Sequence, residues 1–127
     1  MAAKGKVLVV DDEEAILKLL KGLLEKAGYQ VACATNTIGA GYLLKDFDPD
    51  VVILDIMLPG SLSGDQACEA LRSFRPGVKI LFYSGLPEDE LKRLAHKHRA
   101  DGCLSKGVRT SVIVETLRQL IPRPGAR

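Results

Sequence analysis

The run Val51–Leu54 is four consecutive β-branched or aliphatic residues, a strand with no polar face to give to water. A strand that is apolar on both sides needs cover on both sides, which is what a parallel sheet lying between two layers of helices provides. The run ends on Asp55, and Pro59 and Gly60 follow as a turn signal, so this acid stands at the mouth of a loop. In open α/β sheets ligands bind at that mouth, beyond the carboxyl ends of the strands. Taken alone, Asp55 reads as a cap or turn residue at a strand end.

The remainder of the chain repeats the pattern. KVLVV at 6–10 ends on Asp11 and Asp12, and the segment 13–27 places Ile16, Leu19, Leu20, Leu23, Leu24 and Ala27 at helical spacing, with Gly28 as its C-terminal stop. YQVACA at 29–34 is a second strand, and Thr35 and Asn36 are cap candidates for a helix through Lys45. Gly39 and Gly41 weaken that helix by about 1 kcal/mol each relative to Ala. A third helix is expected over 65–74. VKILFY at 78–83 is another buried strand, ending on Ser84 and Gly85, and Pro87 with three acids opens a fourth helix. A short strand at 102–105 ends at Lys106, and Thr110 or Ser111 is the expected cap of a last helix through Ile121. Five strand and helix units with short connections predict a three-layer, doubly wound (βα)5 domain around a parallel sheet. The expected organisation is a single domain over 1–127, with its core at about 5–121 and a tail at 122–127.

A net charge of +2 from 18 basic and 16 acidic residues is too balanced to argue for nucleic acid or an anionic membrane surface. No apolar run approaches the ~20 residues needed to cross a bilayer, so neither a signal peptide nor a membrane anchor is expected. Cys33, Cys68 and Cys103 are odd in number, widely spaced and without a CxxC pair, as in a cytoplasmic protein with reduced thiols.

Four of the five expected strands end on a residue suited to a phosphoryl group or its metal: Asp11 and Asp12, Asp55, Ser84 and Lys106. In a parallel sheet these ends share one edge. Carboxylates gathered there repel one another unless a cation is present, and a hard divalent ion with oxygen ligands, Mg²⁺ above all, meets that need. With it, Asp55 becomes a plausible nucleophile toward phosphorus, Lys106 a neutralising partner and Ser84 a hydrogen-bond donor. As a turn hydroxyl, a strand-end acid or a solvated amine, each residue has a bland reading that is the better one individually; their joint placement at matching strand ends favours the site.

The motifs VLVVDDEE at 7–14, PDVVILDIMLPG at 49–60, ILFYSG at 80–85 and the lysine after GCLS together resemble those of two-component response regulator receiver domains, of the single-domain chemotaxis-receiver type. The resemblance covers essentially the whole chain and implies a flavodoxin-like sheet of order 2-1-3-4-5. It further implies Asp55 as phosphoacceptor, Asp12 as a direct metal ligand, Asp11 as an acid holding the metal through water, and Met57 as the donor of a backbone carbonyl to it. Ser84 matches the hydroxyl switch and Lys106 the basic phosphate partner. A histidine kinase is the implied phosphodonor. An output protein is implied on the face of the fourth helix, fifth strand and fifth helix, with neither nucleic acid nor membrane as direct partner. Self-phosphorylation and self-dephosphorylation are implied, not turnover of a separate substrate.

The sequence departs from the family pattern in several places. Cys103 stands where the family usually has the switch aromatic, and a thiol is too small to swing a ring; Tyr83 reads as core. Gly107 replaces a proline that is usually cis, so a trans peptide is expected, since the cis form costs about 2.5 to 4 kcal/mol without proline, and Lys106 is expected to be less firmly placed. The loop from Pro59 to Gly64 is one residue longer than usual. Met57 and Leu86 are apolar where polar side chains can orient attacking water, which predicts a long-lived phosphoryl group. His96 and His98 read as basic residues at a helix C-terminus rather than metal ligands. The alternative from another class is a pseudo-receiver, an interaction module that works without phosphorylation; a small phosphatase is weaker, because no second acid follows two residues after Asp55. Only a short tail follows the last helix, so no attached output domain is expected in this sequence, which is compatible with either a single-domain regulator or a receiver taken from a longer protein.

Overall fold

In the computed structural model, residues 4–56 and 64–121 are described. Strands β1 (Lys6–Val10), β2 (Gln30–Ala34), β3 (Val51–Leu54), β4 (Lys79–Ser84) and β5 (Gly102–Ser105) alternate with helices α1 (Glu14–Lys26), α2 (Thr37–Asp46), α3 (Gly64–Phe74), α4 (Glu88–Lys97) and α5 (Thr110–Leu120). The strands form one parallel sheet in the order β2-β1-β3-β4-β5, as the sequence resemblance implies. Met57, the turn at Pro59 and Gly60, the lengthened loop and the tail at 122–127 lie outside the described residues.

The strictly apolar strands split their side chains between two cores. Leu8, Val10, Val52, Leu54, Ile80 and Phe82 face α2, α3 and α4 through Ala40, Leu44, Ala67, Leu71, Leu91 and Ala95. Their neighbours Val7, Val9, Val51, Ile53, Leu81 and Tyr83 face α1 and α5 through Leu17, Leu20, Leu24, Ile113 and Leu117. Each Leu, Ile, Val or Phe so buried contributes about 1.5 to 3 kcal/mol by leaving water, which fixes the register: a slip by one residue would exchange the two cores. Tyr83 is therefore core, as expected, with a relative exposure of 3%.

Helix ends follow local chemistry. Asn36 caps α2 by accepting the Gly39 N–H at 2.8 Å, which offsets part of the cost of the two glycines. Gly28 takes φ +104° just past the C-cap of α1, a conformation that suits a residue without Cβ. Pro87, with φ −54°, precedes α4 as its N-cap, one position earlier than a first-turn proline. The expectation for α5 is corrected: its N-cap is Arg109, without a side-chain cap, and Thr110 is already helical. The extended backbone of Arg109 continues the turn after β5, so the helix starts one residue before a hydroxyl could cap it.

Candidate functional site

Asp11, Asp55 and Lys106 are each the first residue beyond a strand, and each continues the backbone ladder into a neighbour. The Asp11 N–H donates to the Ala34 carbonyl (3.1 Å), Asp55 N–H to Val10 (3.0 Å) and Lys106 N–H to Ser84 (2.8 Å). Their Cα positions are thus set by the sheet rather than by loops. Among the described residues, the buried polar or charged ones are Asp11, Asp55 and Ser84 alone. All three stand at the carboxyl edge.

Side chains converge there. One carboxylate oxygen from each of Asp11, Asp12 and Asp55 lies within 4.8 Å of the other two, with Asp12 exposed and its companions buried. The Lys106 ammonium sits 2.9 Å from Asp11 Oδ2, 3.1 Å from Asp55 Oδ2 and 3.2 Å from Glu13 Oε1. It is the internal cation of the cluster. Burial would pull its pKa down, but the contacts with Asp11 and Asp55 outweigh that and hold it above the ordinary lysine value. The Asp11 carboxyl is pushed above its ordinary value by burial, against the opposing pull of the Glu13 N–H and Lys106. The Glu13 N–H donates to Asp11 Oδ1 at 2.9 Å, whereas Asp11 Oδ2 is wholly buried and makes no well-angled hydrogen bond. An acid oxygen with charge contact but no directed donor, two further carboxylates in reach, and no soft ligand among them is a donor set that fits a hard divalent cation such as Mg²⁺.

Ser84 is fully buried at the end of β4, and its Oγ accepts the Leu86 N–H at 3.2 Å. Leu86 itself is partly buried against the α2, α3 and α4 core. Cys103 is not brought to the cluster. It pairs with Phe82 in the β4 and β5 ladder and packs, half-buried, on the α2, α3 and α4 side. Burial raises its thiol pKa, with charges on Lys92 and Glu88 of α4 acting in opposite directions. Cys33 and Cys103 are free thiols. The basic stretch at the end of α4 is held from α3: Arg72 donates to the carbonyl oxygens of His98 (2.8 Å) and Arg99. His98 also stacks obliquely near Phe82, with ring centroids 6.4 Å apart.

One expectation changes, and one residue joins the site unannounced. No peptide bond is cis among the described residues, as anticipated for Gly107, yet Lys106 is firmly placed, because its backbone and three carboxylates fix it without a proline. Glu13, within the motif VLVVDDEE, joins the cluster although nothing in its residue type marks it as a site residue. Its position two residues after Asp11, on the turn leaving β1, was the available signal that it could reach over the same edge.

No helix among the described residues is long and apolar enough to cross a membrane. The family model for the response regulator receiver domain matches residues 7–118. The chain is 38% identical over 101 residues to the alkaline phosphatase synthesis transcriptional regulatory protein PhoP of Bacillus subtilis, covering 80% of this chain but only 42% of that protein's length. It is 28% identical over 116 residues to the chemotaxis protein CheY of Halobacterium salinarum, covering 91% of this chain and 96% of that one. Among solved structures, a CheY-like response regulator receiver domain protein from Methanospirillum hungatei superposes with a TM-score of 0.82 at 26% identity, covering 95% and 94% of the two chains. A match across residues 7–118 on this fold means that the chain belongs to the response regulator receiver domains of two-component signalling.

Proposed function

We propose that this receiver accepts a phosphoryl group on Asp55 from a histidine kinase in the presence of Mg²⁺, and that the modified protein changes its protein contacts. The observation that carries this reading is the confinement of buried polar residues, among those described, to Asp11, Asp55 and Ser84 at one sheet edge, with Lys106 among them. Nothing in the packing of the two cores asks for a buried acid at either position. A charge placed there at the cost of desolvation has a task.

In this reading Asp11 and Asp12 hold the cation together with Asp55, and the Met57 carbonyl completes the protein ligands. When bound, Mg²⁺ supplies charge neutralisation for the oxygens of the transferring group. An oxygen of the Asp55 carboxylate attacks phosphorus as the bond from phosphorus to the donor's histidine nitrogen breaks, leaving a neutral imidazole once that nitrogen takes a proton. Lys106 offers its ammonium to a phosphoryl oxygen, and Ser84 turns its hydroxyl from Leu86 toward another. Cys103 lacks the bulk for an aromatic relay, so the signal leaves through the β4–α4 connection and the face of α4, β5 and α5. Residues of about 5–121 act as one folded unit.

Intact mass after incubation with acetyl phosphate tests the assignment. An adduct of one phosphoryl group that requires Mg²⁺ and disappears in Asp55→Asn is the expected result. Folded wild-type protein that stays unmodified both with acetyl phosphate and with a panel of phosphorylated histidine kinases would overturn it in favour of a phosphorylation-independent interaction module.

A further inference from the structure

Lys106 occupies the charge position that a divalent cation needs. Its ammonium already touches the two buried acids at 2.9 and 3.1 Å, so a second cation arriving at Asp11 and Asp55 meets a like charge. The remaining contact, at 3.2 Å to Glu13 Oε1, differs from those two: the Glu13 side chain is 59% exposed and is not one of the three acids gathered for a cation. It stands on the solvent side of the ammonium, on the turn between β1 and α1, with its backbone N–H bonded to Asp11 Oδ1.

We propose that Glu13 is the positioning residue for Lys106: it retains the ammonium at the rim when a divalent cation takes over the charge of Asp11 and Asp55. This rests on the reading of the acid cluster as a cation site. With the two buried acids neutralised, Glu13 becomes the principal acidic partner of Lys106, so their contact matters more in the cation-bound protein than without it. Two consequences follow. Mg²⁺ binding is easier than it would be against an ammonium with nowhere to go, and Lys106 stays within reach of an incoming phosphoryl oxygen. The positions of Asp11 and Glu13 on one turn tie cation and lysine to the same short piece of backbone.

The test is a double-mutant cycle on Mg²⁺ affinity, read by isothermal titration calorimetry at constant ionic strength, with Glu13→Gln and Lys106→Met singly and together. Wild type binding with Glu13→Gln weakened about fivefold, the upper end for an exposed ion pair, is the expected result. In the Lys106→Met background the Glu13→Gln change is expected to fall below twofold. Equal weakening in both backgrounds would show that Glu13 acts on the cation by charge alone and overturns the proposal, as does no weakening in either. A wild-type protein that binds no Mg²⁺ overturns the cation-site reading itself, a distinguishable result. Lys106→Gln, which keeps a polar group beside the acids, replaces the methionine variant if that variant does not fold.

Discussion

Lys106→Met removes one charge and nearly conserves volume, and it should make the protein depend on divalent cation for stability. At about 3 Å and an effective dielectric of 20, each contact with Asp11 and Asp55 has a gross attraction of roughly 5 kcal/mol, most of it offset by desolvation. What remains is the cost of leaving buried acids without their cation, about 3 to 5 kcal/mol. The lysine side chain is 17% exposed, so water can reach the gap, and about 3 kcal/mol is the better figure. For a chain of this length that lowers Tm by roughly 10 °C. The sign of the pH dependence follows from the shifts. Lys106 is raised, so its stabilisation is complete below the ordinary lysine value of 10.5 and is lost as pH rises through its higher folded value. Toward acid, Asp11 takes its proton above its ordinary 3.8, so the wild type and the variant converge there. Thermal unfolding followed by circular dichroism at pH 7 and about pH 4, with EDTA or with millimolar Mg²⁺, checks this. The loss should be largest at pH 7 in EDTA, and Mg²⁺ should stabilise the variant more than the wild type. An unchanged Tm at pH 7 in EDTA, or an equal loss at both pH values, would refute the account of Lys106 as the internal cation.

Other outcomes are open to direct measurement. Asn36→Ala removes the bond to the Gly39 N–H and should cost about 1 kcal/mol, read as a lower urea midpoint with an unchanged slope. Cys33 and Cys103 have thiols raised by burial above the ordinary value of 9.0. Their alkylation by iodoacetamide at pH 8 should be slower than that of a free thiol and should accelerate at higher pH than it does; Cys68, 1% exposed, should react only on unfolding. Once formed, the phosphoryl group should be long-lived, and Leu86→Asn, which supplies a group able to orient water, should shorten its lifetime as followed by mass in the presence of Mg²⁺.

The architecture was legible because the strands are apolar on both faces. Val51–Leu54 and Val7–Val10 admit no solvent-facing side, and the two cores divide their residues in strict alternation. Boundaries were less so. Ser84 and Tyr29 illustrate why: Ser84 joins β4 because its backbone pairs with Ser105, and Tyr29 stays outside β2 although its ring is buried. Neither fact can be read from side-chain polarity. The α5 cap failed for a related reason, since hydroxyl residues were available but backbone geometry put the boundary at Arg109. At the site, Asp11, Asp12, Asp55 and Lys106 converge as residues at matching strand ends should. Glu13 escaped because an acid at a helix start already has an adequate explanation, and only a long-range contact, 93 residues away in sequence, adds another. Cys103 lies under α4 rather than at the acids.

The position of the ammonium just beyond β5 has a consequence for synthesis. The chain emerges from its N-terminus, so Asp11, Asp12 and Asp55 are available long before Lys106, which follows β5. A nascent sheet of β1 to β4 would bring the buried carboxylates together with no lysine between them, and their repulsion opposes its closure. Arrival of β5 both adds an edge and delivers the missing charge. On these grounds the site's electrostatics should oppose closure of the sheet until β5 has been made, or until a divalent cation stands in for the lysine.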